Sequence, residues 1–253
     1  MNQESRLTLL GHLEELRKRL MWVVIVVGIG AGVSFYFAED IIDILKSVAD
    51  DDIRLQAIEP TEVIGTYFKL CINCGIALGA PVILYQIVMF IRPALSIKER
   101  RYLYVLLPGM LISFVVGVVF AYFVLLPPAM TFLFKFGSGV ADIEWRVSNY
   151  VNMIVRLLFA IGLCFETPII MYFLTKIGIL TPQRLTRFRR FAIVCAFIIA
   201  AIITPTFDPI NQTIVAVPLI ILYEIGILLS RIAHRGNHKE EAKVESEDGP
   251  FVK

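Results

Sequence analysis

Histidine, cysteine and charge are all scarce in this chain, and each shortage closes off a class of chemistry. The three histidines, His12, His234 and His238, lie near the termini and form no metal cluster. All four cysteines, Cys71, Cys74, Cys164 and Cys195, sit inside apolar runs. Cys71 and Cys74 have CxxC spacing, but a redox or zinc site needs a strand-to-helix context or further ligands, so they are expected to be small packing residues. Neither GxxxxGKS nor GxxxxGKT occurs, which removes the phosphate cradle of a nucleotidase and leaves any energy source outside the chain. No small-residue cleavage site closes the first apolar run, so residues 21 onward are expected to be a retained span. None of these patterns calls for a metal, a cofactor, a nucleic-acid partner or catalytic chemistry.

What is abundant is apolar sequence. Hydrophobic residues make up 57% of the 253 residues and charged ones 18%, with a mean hydropathy of +0.74. That is the composition of an integral membrane protein surrounded by lipid, not of a soluble domain around one core. The expected fold is all-α, with six transmembrane helices at about 21–38, 67–90, 103–126, 151–175, 191–203 and 213–229. The last two runs are short, about 20 and 26 Å as helix against a hydrocarbon core of about 30 Å. A re-entrant hairpin is therefore the alternative to two short spans. Residues 1–231 would form one membrane domain and residues 232–253 a charged, disordered tail.

Basic residues fix the orientation. Of 24 Lys and Arg, the N-terminus, residues 91–102, residues 176–190 and the tail hold 4, 4, 5 and 5. Both termini are therefore expected in the cytoplasm. The 39–62 stretch is acidic and suits an opposite-side loop.

Particular residues stand out along the chain. Leu9, Leu13, Leu16 and Leu20 make one stripe over residues 5–20, which predicts a helix lying on the membrane surface. Glu14 with Lys18, and Glu15 with Arg19, are i,i+4 pairs in the favourable order. Gly28, Gly30 and Gly32 would let a second helix approach the first span. Glu59-Pro60-Thr61-Glu62 suits a helix start, and Pro81 is expected to kink the span that follows. Ser96 and Glu99 have capping-box spacing. Gly178 reads as a helix stop, and Thr181-Pro182 as the cap and first turn of the next helix.

The stretch at 157–174 carries one charge, Glu166, at bilayer depth. A carboxylate there costs roughly 2.5 to 3.5 kcal/mol and faces protein, water or a partner in preference to lipid. Pro168 cannot donate to the carbonyl of Cys164, so the helix is loosened beside the acid. Arg156 is ten residues away, about 15 Å along the helix, too far for a direct pair. Asp208 and Gln212 sit in the short link between the last two runs, where capping the final helix is their simplest role.

Taken together, HLEELRKRL at 12–20, EPTE at 59–62, RPALSIKERR at 92–101, FETPIIMYFLTKIGILTP at 165–182 and the link from Thr204 to Gln212 resemble the TatC family. That family is the polytopic core of the twin-arginine protein translocase, and the resemblance runs from Leu10 to Arg231. It implies a concave, glove-like bundle in a bacterial cytoplasmic membrane, serving as receptor for folded proteins that carry twin-arginine signal peptides. It further implies that Glu15 and Glu99 receive the two arginines beside Arg17, that Glu166 faces the single-span partners TatA and TatB, and that Asp208 and Gln212 act in assembly. Other copies of the chain would join the receptor complex, and the transmembrane proton gradient would supply the energy. Carboxylates suit guanidinium groups because they accept bidentate, charge-assisted bonds. Pairing and capping remain open for Glu15 and Glu99, and a protonated acid satisfied by a neighbouring hydroxyl remains open for Glu166. The rival functions are a proton-coupled transporter relaying through Glu166, weakened by the lack of an internal repeat, and an intramembrane enzyme, weakened by the lack of any histidine cluster.

Overall fold

The computed structural model describes residues 3–48, 55–91, 97–137, 145–204 and 208–247. Its helices are α1 (Gln3–Tyr36), α2 (Ala38–Lys46), α3 (Pro60–Ile91), α4 (Ile97–Phe120), α5 (Leu126–Gly137), α6 (Val147–Cys164), α7 (Thr167–Lys176), α8 (Pro182–Arg187), α9 (Arg189–Ile203) and α10 (Pro209–Glu247). Two two-residue strands, β1 (Leu55–Gln56) and β2 (Trp145–Arg146), pair in parallel. The protein is a polytopic, helical membrane protein. Among the described residues, five stretches are long and apolar enough to cross a bilayer: Leu13–Tyr36, Pro60–Phe90, Leu106–Phe134, Val147–Lys176 and Pro209–Gly236. At 15 residues, α9 is shorter, about 22 Å. Large apolar side chains such as Ile29, Phe123 and Ile202 point outward, at 64%, 69% and 71% exposure, as lipid-facing residues do.

The chain forms two compact units, residues 1–111 with 119–159, and residues 112–118 with 160–253. In the first, α1 packs on α3 through glycine. A Cβ on Gly75 would lie 2.6 Å from the Val27 carbonyl oxygen and the Ala31 nitrogen, and one on Gly30 would lie 3.0 Å from Gly75. Only missing side chains allow that approach. Gly28 and Gly32 face open space, so one of the three glycines expected at the crossing is used. Leu70, Leu125, Leu126, Met130 and Ile154 are fully buried, as is Tyr150, whose hydroxyl donates to the Leu45 carbonyl at 2.8 Å.

Several sequence expectations in this unit are corrected. Residues 5–20 and the first span are one unbroken helix, not a surface helix followed by a span. The joining residues Arg17, Lys18, Arg19, Leu20 and Met21 are all good helix formers, with no proline or glycine to stop them. The acidic stretch begins as helix α2, because Ala38, Ile42 and Leu45 share one buried face while Asp40 and Asp43 remain outside. A five-residue π-helical turn, Ala121–Leu125, precedes Pro127-Pro128. Those prolines remove the amides that would have bonded the Phe123 and Val124 carbonyls, and the wider turn occurs at this gap.

In the second unit, α10 packs on α7, α8 and α9. Met171, Leu185 and Ile227 form a buried cluster edged by Leu180 and Tyr223. The buried Thr175 and Ser230 hydroxyls lie 2.7 Å apart and join α7 to α10. Gly178 has φ +79° and ends α7. Thr181 accepts the Arg184 amide at 3.5 Å with Pro182 in the first turn, as the sequence indicated. Where a disordered tail was expected from residue 232, the backbone continues as helix to Glu247. The run KEEAKVE is rich in helix formers and holds no proline.

Candidate functional site

Glu166 sits where a helix is broken. α6 ends at Cys164 and α7 begins at Thr167, leaving Phe165 and Glu166 between them. The Glu166 amide donates back to Leu163 at 3.1 Å, a tighter turn than the α-helix makes, and the Glu166 carbonyl accepts from Ile170 at 2.9 Å. Pro168 makes this break, since it has no amide for the Cys164 carbonyl. The Ser113 hydroxyl donates to the Phe165 carbonyl at 2.6 Å and satisfies one group within the break. Beside it the helices touch closely: a Cβ on Gly117 would lie 2.8 Å from the Phe165 side chain, and one on Gly162 would lie 2.9 Å from Phe114.

Glu166 is 3% exposed, and neither carboxyl oxygen has a hydrogen-bond partner among the described residues. The hydroxyl expected to satisfy the acid is not seen among the described residues, and Ser113, which bonds within the break, donates to the Phe165 carbonyl. Burying such a group unpaired is costly, and that cost singles out this position.

Glu14 and Glu15 are engaged. Glu15, on α1, accepts from Arg19 through Nε at 3.1 Å and through Nη2, and Arg19 Nη1 reaches Gln86 on α3 at 3.2 Å. The i,i+4 pairing expected for Glu15 is therefore present, and so is Glu14 with Lys18 at 3.0 Å. The Glu15 side chain stays 32% exposed, and Arg17 is exposed three residues after Glu14 on the same helix. Glu99 falls in the first turn of α4, but its side chain and residues 92–96 lie outside the described residues, and so does its capping box with Ser96.

Asp208 caps α10. Its Oδ1 accepts the Asn211 amide at 2.6 Å, and its carbonyl accepts the Gln212 amide at 3.2 Å. Gln212 Nε2 donates to the Phe197 carbonyl at 2.9 Å, which ties α10 to α9. The capping role expected of Asp208 is present, whereas Gln212 is a cross-helix tie.

One site is invisible in the sequence. Glu62, expected only as a helix-start acid, accepts from Arg146 Nη2 at 3.0 Å, Ser148 Oγ at 2.6 Å and the Ile58 amide at 3.1 Å. Arg146 and Ser148 lie 84 and 86 residues away, and nothing in local spacing announces them.

These features define a class: a polytopic, mostly helical membrane protein with an acid buried at a proline-made break and unpaired among the described residues. The family follows from comparison, because the model of the Sec-independent protein translocase protein (TatC) matches residues 11–218, and the chain belongs to that family. The TatC of Aquifex aeolicus is 41% identical over 88% of this chain and 95% of its own length. Bacillus subtilis TatCd is 34% identical over 92% of this chain and 95% of its own. A crystal structure of the twin-arginine translocase receptor TatC superposes with a TM-score of 0.79 at 40% identity, covering 88% of this chain and 99% of that one.

Proposed function

We propose that this chain is the receptor subunit of a twin-arginine translocase, receiving the signal peptides of folded proteins and nucleating the translocation complex. The observation that carries this reading is the likeness, over nearly the whole length, to a structure named as the twin-arginine translocase receptor. Glu15, Glu99 and Arg17 receive the paired arginines. Supporting this, Glu15 keeps a partly exposed carboxylate even while bonded to Arg19. An incoming guanidinium can share or displace that intrahelical partner without a new charge being buried.

Glu166 meets a polar group on a single-span partner of TatA or TatB type; its buried, unpaired carboxyl supports this. Asp208 and Gln212 shape the link that assembly uses on the opposite side. The chain is a six-span protein of the bacterial cytoplasmic membrane, both termini inside, with α9 as the short fifth span and with no catalytic step of its own. Further copies complete the receptor complex, and the proton gradient drives transport.

The test is photocrosslinking from positions 15 and 99 to a twin-Arg signal peptide and to its twin-Lys counterpart. Labelling by the Arg peptide that fades with Lys is the expected result. Equal labelling by both would reduce the interaction to general surface attraction and overturn the reading.

A further inference from the structure

The second unit holds an apolar cavity of about 340 Å³ lined by Cys164 and Thr167 on one side, Phe188, Phe191 and Cys195 on another, and Tyr223 of α10. None of the lining side chains is charged, and its size is that of a small-ligand pocket. The Phe188 and Phe191 rings lie 5.8 Å apart, tilted at 48°, and the two residues are 54% and 67% exposed. Tyr223, which lines the same cavity, is an amphipathic aromatic of the type enriched at the boundary between hydrocarbon and headgroups.

The same end of the cavity is strongly basic. Residues 176–190 contain five Lys and Arg and no Asp or Glu. Arg189 and Arg190 lie between the two lining phenylalanines in the chain. Arg189 Nη2 donates to Glu224 at 2.7 Å, next to the lining Tyr223, while its buried Nε has no partner among the described residues. Arg187 and Arg190 are exposed and make no ion pair among the described residues. An apolar slot thus opens beside two uncompensated arginines and a half-used third.

From this juxtaposition we propose that the cavity is a binding site for an anionic glycerophospholipid, with one acyl chain in the slot and the phosphate held by Arg187, Arg189 and Arg190. The charge complementarity selects an anionic headgroup over a zwitterionic one, and basic pockets between membrane helices bind such headgroups in general. The shape selects a chain over a helix: a partner helix about 10–12 Å across would rest on this surface, whereas an acyl chain enters it. The site is independent of Glu15 and Glu99, so its failure would leave the receptor reading untouched.

The experiment uses the full chain in nanodiscs of mixed phosphatidylglycerol and phosphatidylcholine, with the lipids retained after extraction counted by native mass spectrometry. Wild-type protein is expected to retain phosphatidylglycerol preferentially. Changing Arg187 and Arg190 to Gln should weaken that preference by about fivefold per arginine, the value of one basic group near an anionic surface. Ala192→Phe and Cys195→Phe each fill the slot while keeping every charge, and whichever variant keeps wild-type helicity should lose the tightly held lipid. Preference that survives the arginine changes would overturn the headgroup assignment. Retention that survives slot filling would overturn the site altogether, whether the lipid is then merely annular or the groove belongs to a partner helix.

Discussion

Glu62, whose side chain is 5% exposed in a partly buried residue, and the buried Glu166 are both carboxylates turned away from solvent, yet they are treated in opposite ways. Glu62 collects a guanidinium, a hydroxyl and backbone amides, and thereby joins the start of α3 to the β2–α6 junction. Glu166 collects nothing among the described residues. The contrast separates two reasons for burying an acid. One secures a joint between distant pieces of chain; the other, on the function proposed above, keeps a polar group available for a partner at a standing cost.

The strongest attack on this contrast is Glu62→Ala, which strands Arg146 and Ser148 together. It should produce the largest fall in the thermal midpoint in detergent, with Glu62→Gln intermediate because its one amide oxygen still accepts from either Ser148 or Ile58, which bond different oxygens of the carboxylate. Little change for Glu62→Ala would mean that the network is ornamental. Next in size is a functional effect without a structural one: Glu166→Gln should leave stability within about 1 kcal/mol, since no bond is lost, while export of a twin-Arg reporter falls to background. If Glu166→Gln instead unfolds the protein as Glu62→Ala does, the two acids belong to one category.

A smaller effect tests the joint itself. Arg146→Gln alone should destabilise, because Glu62 loses its charged partner, but adding it to Glu62→Gln should cost less than the two single changes summed. Strict additivity, read from unfolding midpoints, would say that the 3.0 Å contact carries no coupling.

The difference between the two acids also explains what the sequence could reveal. Glu166 was legible because its signal is local: a lone charge in an apolar run, two residues from a proline that must break the helix. Gly178, Thr181 and Pro182 were legible for the same reason. The Glu62 network was not, since Arg146 and Ser148 come from a region that only folding brings near. α2 was hidden by its acids, which read as loop until Ala38, Ile42 and Leu45 are seen to share a buried face. The continuity of α1 was obscured by a change from amphipathic to apolar pattern, which alters what surrounds a helix without ending it. Among the glycines, spacing announced a close crossing but could not say that Gly30, and not Gly28 or Gly32, would meet Gly75.

The finest test asks whether Glu166 is truly isolated. Ser113→Ala removes the hydroxyl that donates to the Phe165 carbonyl at 2.6 Å, and should cost about 1 kcal/mol, the usual value of one such bond. If that carbonyl is the hydroxyl's whole task, the cost should be the same in a Glu166→Gln background, because the two groups share no bond. Independent sites add to within about 0.5 kcal/mol. A coupling clearly above that, measured by unfolding both single variants and the double, would mean that the hydroxyl serves the carboxyl as well. Glu166 would then be a satisfied acid after all, and its export defect would have to come from a displaced helix break in place of a lost partner.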